Sequence, residues 1–222
     1  MNRLIAKAQA EMSRNFGRYK RESELAVRTL EVKGSETLAQ LKEAWRNTYL
    51  YRWDSLDGLY KKSVSSLKDI NYSAKDVENF SVVLAEFQKG FDLDFNLRAG
   101  IFLSALINNG KDGDYIIYTN HCKVKPICVG YKNYKSIKIN GDVGAACGCQ
   151  MIGGKIIING NTDYTLGLSM AGGIIIVNGD VESLAGQLMR GGEIHLNGSF
   201  RDLGGPLFGG KIFYRGKLIF SR

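Results

Sequence analysis

The apolar positions of this 222-residue chain follow two different periods. Up to about Asn109 they recur every three to four residues, the spacing that gathers side chains on one face of an α-helix. Arg3 to Leu30 reads as an amphipathic helix with Ile5, Ala8, Met12, Phe16, Tyr19, Ala26 and Leu30 on a shared face. Arg3, Lys7, Arg14, Arg18, Arg21 and Arg28 fall near the opposite line. Leu25 breaks the pattern, and Gly17 weakens the helix by about 1 kcal/mol relative to Ala. A second series, Leu38, Leu41, Trp45, Tyr49, Trp53, Leu56 and Tyr60, also has helical spacing. Ser73 with Asp76 forms an N-cap signature ahead of Val77, Phe80, Val83, Leu84 and Phe87. Leu97 to Asn109 is apolar on several sides.

From Gly110 onward the period becomes two, and the chain repeats itself. The phrase MIGGKIIINGN at Met151 returns as MAGGIIIVNGD at Met170. In register the copies are YKSIKINGD from Tyr134, GGKIIINGN from Gly153, GGIIIVNGD from Gly172, GGEIHLNGS from Gly191 and GGKIFYRGK from Gly209. The first four starts are nineteen residues apart and the last interval is eighteen; a fainter copy, DYIIYTNH, begins at Asp114. A period of this length points to stacked units that bury their apolar faces jointly. The competing reading takes Asn140-Gly141, Asn159-Gly160, Asn178-Gly179 and Asn197-Gly198 as hairpin turns. The residues after each pair are polar or Gly-rich and supply no second strand. Equivalent strands are therefore expected to pair in parallel, one repeat per rung, with a rise of about 4.8 Å.

Alternation along each strand sorts the side chains. The inward set is Ile137 and Ile139, Ile156 and Ile158, Ile175 and Val177, Ile194 and Leu196, Ile212 and Tyr214, with Met151, Met170, Met189 and Leu207 on a second side of the core. The paired glycines before each strand suit a sharp corner. Asn140, Asn159, Asn178 and Asn197 fall on one line, where amides can bond to the rungs above and below. Arg215 breaks that line, as expected at an end, and the open first rung needs a cap, for which the helix at Leu97 to Asn109 is placed. Outward on the same strands lie Lys138, Ile157, Ile176, His195 and Phe213, an apolar stripe that soluble proteins seldom leave bare. Its expected cover is either the chain's own helices, through Trp45, Trp53 or their neighbours, or another subunit.

The phrase G-x-x-M-x-G-G-x-I-x-V-x-G, present at Gly167 to Gly179 and again at Gly186 to Gly198 with Leu196 at the Val position, resembles the GXGXG domain. That domain is shared by the C-terminal region of glutamate synthase large subunits and by one of the subunits of formylmethanofuran dehydrogenase. The likeness covers roughly Gly141 to Gly216. It implies a right-handed β-helix, the usual hand of parallel crossovers, acting as a non-catalytic spacer and docking surface. The expected fold is α+β: an α-helical region over 1–109, then a parallel β-helix of five or six rungs over 110–222.

Composition adds limits more than assignments. A formal charge of +8 favours acidic partners without naming one. No window approaches the length of a membrane span, and Met1 to Ala10 lacks the apolar run of a signal peptide, so a cytoplasmic protein is expected. The basic line from Arg3 to Arg28 is either a solvated helix face or a contact surface for RNA or another polyanion, although the chain carries no nucleic-acid signature. It also lacks G-x-S-x-G, a phosphate loop and HExxH, so no catalytic residues are assigned. His195 lies between inward Ile194 and Leu196 and faces outward.

Cys128 and Cys147, nineteen residues apart, should occupy equivalent places on adjacent rungs, with Cys149 two residues on and His121 and Cys122 in the preceding turn. Those five could in principle supply a tetrahedral metal site. Cys147, however, aligns with the core positions Leu166, Ala185 and Leu203, and the spacings match no common zinc knuckle. Packing is the favoured role, and neither metal nor cofactor is expected. These readings converge on a non-catalytic scaffold or assembly protein with a protein partner or a second copy. The rival is an accessory component of a glutamate-synthase-like or formylmethanofuran-dehydrogenase-like enzyme complex.

Overall fold

The computed structural model describes residues 34–49, 55–88 and 93–222. Helices α1 (Glu36–Asn47), α2 (Leu56–Leu67), α3 (Ala74–Val83) and α4 (Leu93–Asn109) come first, with a 3-10 turn at Leu84–Phe87 after α3. The strands are β1 (Asp114–Tyr118), β2 (Ser136–Asn140), β3 (Lys155–Asn159), β4 (Thr162–Tyr164), β5 (Ile174–Val177), β6 (Val181–Ser183), β7 (Glu193–Leu196), β8 (Lys211–Tyr214) and β9 (Lys217–Ser221).

The polar signals in the sequence place the helix starts. Ser35 accepts a hydrogen bond from Leu38 N at 3.0 Å and opens α1, and Ser55 does the same for Gly58 N at 3.0 Å to open α2. The expected capping box forms at Ser73, whose hydroxyl and backbone exchange bonds with Asp76. One expectation needs correction. The series from Leu38 to Tyr60 is not one helix, because Thr48 turns extended after α1 and bonds its hydroxyl back to Ala44 O at 2.9 Å. Tyr49 consequently leaves the buried face and is exposed. Trp45 packs edge-on against Phe95 and Phe102, with Phe80 and Phe87 beside it. The Arg98 guanidinium covers its ring at 3.9 Å.

The strands form a parallel coil. β1, β2, β3, β5, β7 and β8 stack side by side, and β4 pairs with β6 in a short second sheet. The register is the repeat itself: Ile137 faces Ile156, Ile156 faces Ile175, and Ile175 faces Ile194. No antiparallel turn forms at the Asn-Gly pairs. The inward isoleucines are fully buried from Ile156 through Ile212, and each contributes about 2 kcal/mol by area removed from water. Tyr214 is the exception, half-buried against Phe200 at the end of the stack. Val143, Thr162, Val181 and Phe200 make a second inward column.

The third side of each coil is a corner in which alternate residues take positive φ. The triplets are Cys128, Gly130 and Lys132; Ala146, Gly148 and Gln150; Thr165, Gly167 and Ser169; and Leu184, Gly186 and Leu188. Each triplet bonds to the corner one coil away: the N–H groups of Gly148, Gly167 and Gly186 donate to Val129 O, Cys147 O and Leu166 O, all at 2.8 Å. Val129, Cys147, Leu166 and Ala185 thus stack inward as one column. Cys128 is therefore equivalent to Ala146, and the expected pairing of Cys128 with Cys147 is wrong. The first two corners are eighteen residues apart while the strands they lead into are nineteen apart, so a one-residue deletion shifts the alignment.

The glycine pairs divide their labour. The second of each takes positive φ, as at Gly173 (+89°), where a Cβ would lie 2.6 Å from Met151 Cε and 2.7 Å from Gly153 C. The methionine column therefore fills the space that a side chain at the corner would need.

Two side-chain ladders tie the coils together. Asn159 Nδ2 donates to Asn140 Oδ1 at 3.0 Å, Asn178 to Asn159 at 2.8 Å and Asn197 to Asn178 at 2.8 Å. The second ladder has no single residue type to announce it in the sequence. Asp142, Asn161 and Asp180 each accept from the backbone N–H of the residue one coil on, Asn161, Asp180 and Ser199, at 2.7–2.8 Å.

Both ends of the stack are finished differently from its middle. α3 lies on the free edge of β1, where Ser81 Oγ accepts from Tyr118 N at 3.0 Å. α4 underlies the first corner: Ser104 Oγ accepts from Gly130 N at 2.9 Å and Tyr131 N at 3.1 Å, and Asn96 O accepts from Ile127 N at 2.9 Å. The approach at Gly100 is so close that a Cβ would sit 1.7 Å from Ile127 O. Secondary structure changes between Asn109 and Asp114, yet a single apolar core runs from Trp45 and Phe102 through Ile117 to Ile212. At the far end β9 turns back antiparallel on β8 through Arg215 (φ +49°) and Gly216 (φ +78°), a two-residue hairpin of the positive-φ kind.

Ile175→Asp places a charge in the middle of the core and is expected to destabilise the chain by about 4 kcal/mol or more, seen as loss of cooperative urea unfolding monitored by far-UV circular dichroism. Asn178→Ala removes two ladder bonds at a half-buried site, for an expected loss of about 1–2 kcal/mol. An unchanged urea midpoint would show that these amides are bonded equally well by water.

Candidate protein-interaction face

The outward positions of the main sheet form three parallel columns. The central one joins Ile116, Lys138, Ile157, Ile176, His195 and Phe213 in strict register, and β9 adds Leu218 opposite Phe213. Seven strands at about 4.8 Å spacing make it about 29 Å long. One flank is the asparagine ladder. The other is mixed: Asp114, Ser136, Lys155, Ile174, Glu193 and Lys211.

All the stripe residues expected from the sequence occupy this column. Ile157, Ile176, His195 and Phe213 are half-buried, while Ile116 at 40% and Leu218 at 47% stay open. The His195 ring stacks on Phe213 with centroids 4.5 Å apart and planes 8° from parallel. Its Nε2 lies 3.1 Å from Glu193 Oε2, and Lys211 Nζ stands 3.7 Å from the other oxygen of that carboxylate. The faint copy at Asp114 carries the signal for Ile116. Leu218 has none, because it reaches the column through an antiparallel strand outside the repeat.

The expected cover does not come from Trp45. That ring is 2% exposed inside the helical core, where Phe80, Phe87, Phe95 and Phe102 hold it, so it has no surface to give the stripe. Trp53 lies outside the described residues, as do Arg3, Lys7, Arg14, Arg18, Arg21 and Arg28 of the basic line. Among the described residues no helix is long and apolar enough to cross a membrane.

The five candidate metal ligands are dispersed. Cys147 faces the main core, and burial pushes its thiol up to about 12. Cys122 sits in the extra loop between β1 and the first corner, its thiol likewise raised to about 12 by burial. His121, in the same loop, places Nε2 2.8 Å from Ser81 O. Cys128 and Cys149 belong to a separate small cluster with Leu59, Ile101, Tyr131 and Ala146. Among the described residues no three of His, Cys, Asp and Glu are grouped to hold a metal ion.

A shallow groove of about 510 Å³ runs beside β4 and β6, lined by Lys125, Asp163, Asp180, Glu182 and Arg201. Its strongest contact is internal, Lys125 Nζ to Asp163 Oδ1 at 2.5 Å. Comparison with protein families, with curated proteins and with solved structures found no match.

His121 generates a pH dependence. Ser81 O can only accept, so Nε2 carries the proton, and Nδ1 is buried without a partner. Burial holds the imidazole below its ordinary value of 6.5, so the unfolded chain takes up the proton first. The stability contributed by neutral His121 is complete above about pH 6.5 and declines below it, with a limiting slope of about 1.4 kcal/mol per pH unit. The melting temperature is expected to fall between pH 7.5 and 5.5 by more in the parent than in His121→Asn. Equal shifts would remove His121 from the account.

Proposed function

We propose that this chain is a non-catalytic β-helix scaffold whose outer sheet face docks another protein subunit. The observation that carries the reading is the central column, where Ile157 lies beside Ile176 and Phe213 beside Leu218 on the outside of the sheet, with Ile116 at the head of the column and Lys138 and His195 between these apolar groups. Surfaces of this kind are characteristic of sites that meet a partner. Its strands are fixed by rung-to-rung bonds, and the adjoining amide ladder supplies a polar border. Such a preorganised surface loses little conformational freedom on binding. The GXGXG resemblance favours one form of this reading, an accessory component of a glutamate-synthase-like or formylmethanofuran-dehydrogenase-like complex, working in the cytoplasm.

Ile176→Lys tests the proposal, because a long ammonium side chain at the middle of the column disrupts docking while leaving the inward core untouched. Light scattering coupled to size exclusion, together with co-purification from the native cell, gives the readout. Expected are a melting temperature close to the parent's and loss of the oligomer or complex that the parent forms. A variant that keeps the parent's associations overturns the docking face. One that loses several kcal/mol of stability as a monomer assigns the strip to intramolecular packing.

A further inference from the structure

The dipeptide Asn-Gly occurs five times in the chain, beginning at Asn109, Asn140, Asn159, Asn178 and Asn197. In this pair a backbone nitrogen readily attacks the preceding side-chain amide, because glycine puts no Cβ in the way. The fold treats the five unequally. At the end of α4, Gly110 N–H donates to Leu106 O at 3.0 Å; in the coil, Gly141 N–H donates to Asn159 O at 3.3 Å and Gly179 N–H to Gly160 O at 3.1 Å. Those three nitrogens are committed. Gly160 N–H has no bond among the described residues, but Asn159 closes β3 and its amide is held from both sides, donating to Asn140 at 3.0 Å and accepting from Asn178 at 2.8 Å.

Asn197 has neither restraint. It lies just beyond β7, it is exposed, and its amide keeps only the bond it donates to Asn178 Oδ1 at 2.8 Å. Among the described residues nothing donates to Asn197 Oδ1, and Gly198 N–H has no acceptor. The next rung is the cause. Arg215 stands there in place of an asparagine, with φ +49°, and the chain turns back into β9.

We propose that Asn197-Gly198 is a site of spontaneous modification, at which the asparagine loses its amide and becomes isoaspartate or aspartate while the four other Asn-Gly pairs persist. Gly198 gives up its N–H proton to hydroxide, and its nitrogen attacks Asn197 Cγ. The new C–N bond closes a succinimide ring as the Cγ–Nδ2 bond breaks and ammonia leaves with the proton it needs. Water then adds to one of the two ring carbonyls: breaking the bond from Cγ to nitrogen gives aspartate, and breaking the backbone C–N bond gives isoaspartate. One water is consumed and one ammonia released. Either product changes the last rung, because a carboxylate has no proton to donate to Asn178 Oδ1 and the ladder loses its final bond. Isoaspartate also lengthens the main chain just before Gly198, which lies so close to the coil below that a Cβ there would sit 2.2 Å from Gly179 O. The reaction stops at one rung, since Gly179 N–H stays bonded to Gly160 O after Asn178 loses its donor.

The test incubates the purified full-length chain in mildly alkaline buffer made with heavy-oxygen water and digests it in ordinary water, so that only amides lost during the incubation carry the label. Peptide mass spectrometry, with fragmentation that separates isoaspartate from aspartate, follows all five sites. Conversion at Asn197 is expected to be at least about tenfold faster than at any of the other four, the factor that about 1.4 kcal/mol of retained bonding supplies. In urea the five sites should convert at similar rates, because unfolding removes every restraint. Equal or faster conversion at Asn109, Asn140, Asn159 or Asn178 in the folded chain overturns the proposal. So does an intact Asn197 after the time in which the unfolded chain has reacted, or the same lead for Asn197 in urea, which would trace it to neighbouring residues in the sequence. Asn178→Ala removes the last bond on the Asn197 amide and should speed its conversion; an unchanged rate overturns the part assigned to the ladder.

Discussion

Every coil in the middle of this protein finds its backbone partners one repeat away. The strands bond in parallel at the nineteen-residue interval, the corners bond through Gly148, Gly167 and Gly186, and no coil can satisfy its polar groups or bury its isoleucines alone. The other features stem from that constraint. Equivalent residues must lie on top of one another, so Ile stacks on Ile, Met packs beneath a glycine whose side chain would occupy its place, and Asn donates to Asn. The first and last coils lack a neighbour on one side. Hence α3 covers the edge of β1, α4 supports the first corner, and β9 folds back to pair with β8.

Stacking also explains how non-glycine residues hold positive φ in the corners. For Leu184, Leu188, Thr165 and Ala146 the left-handed conformation costs roughly 1–2 kcal/mol of intrinsic preference each. The corner hydrogen bonds to the coils on either side offset it. The strain persists because the neighbours over-determine the geometry.

That distinction marks what was legible in the sequence. Inward and outward columns, the asparagine ladder and the capping box at Ser73 were readable because each depends on residue type at a fixed spacing. The alternating positive-φ corners were not, since leucine and threonine carry no signal for that conformation and only the stacked context imposes it. The Cys128 alignment failed for a different reason: one residue is missing between the first corner and β2, and a constant interval counted along the chain cannot detect it. The break between α1 and α2 was hidden because apolar spacing continued through Tyr49, while Thr48 ended the helix by a local hydroxyl bond. The outer stripe was placed correctly as a column. Trp45 does not supply its cover, because aromatic content alone does not say which core consumes it, and Trp45 is the centre of the helical one.

Rigidity and exposure meet on the outer sheet. The same rung-to-rung bonds that fix the interior hold Ile157, Ile176 and Phe213 in line on the outside, so a partner would meet a preformed surface. The most direct measurement of the stacking on which this depends is native-state hydrogen exchange of the strand amides. Amides of Ile156, Ile175 and Ile194 should exchange through one shared opening with the free energy of global unfolding, because none of the three strands keeps its partners without the others. Exchange of the β5 amides at the rate of an isolated hairpin, with protection interrupted at Asn159-Gly160 or Asn178-Gly179, would contradict the stacked coil.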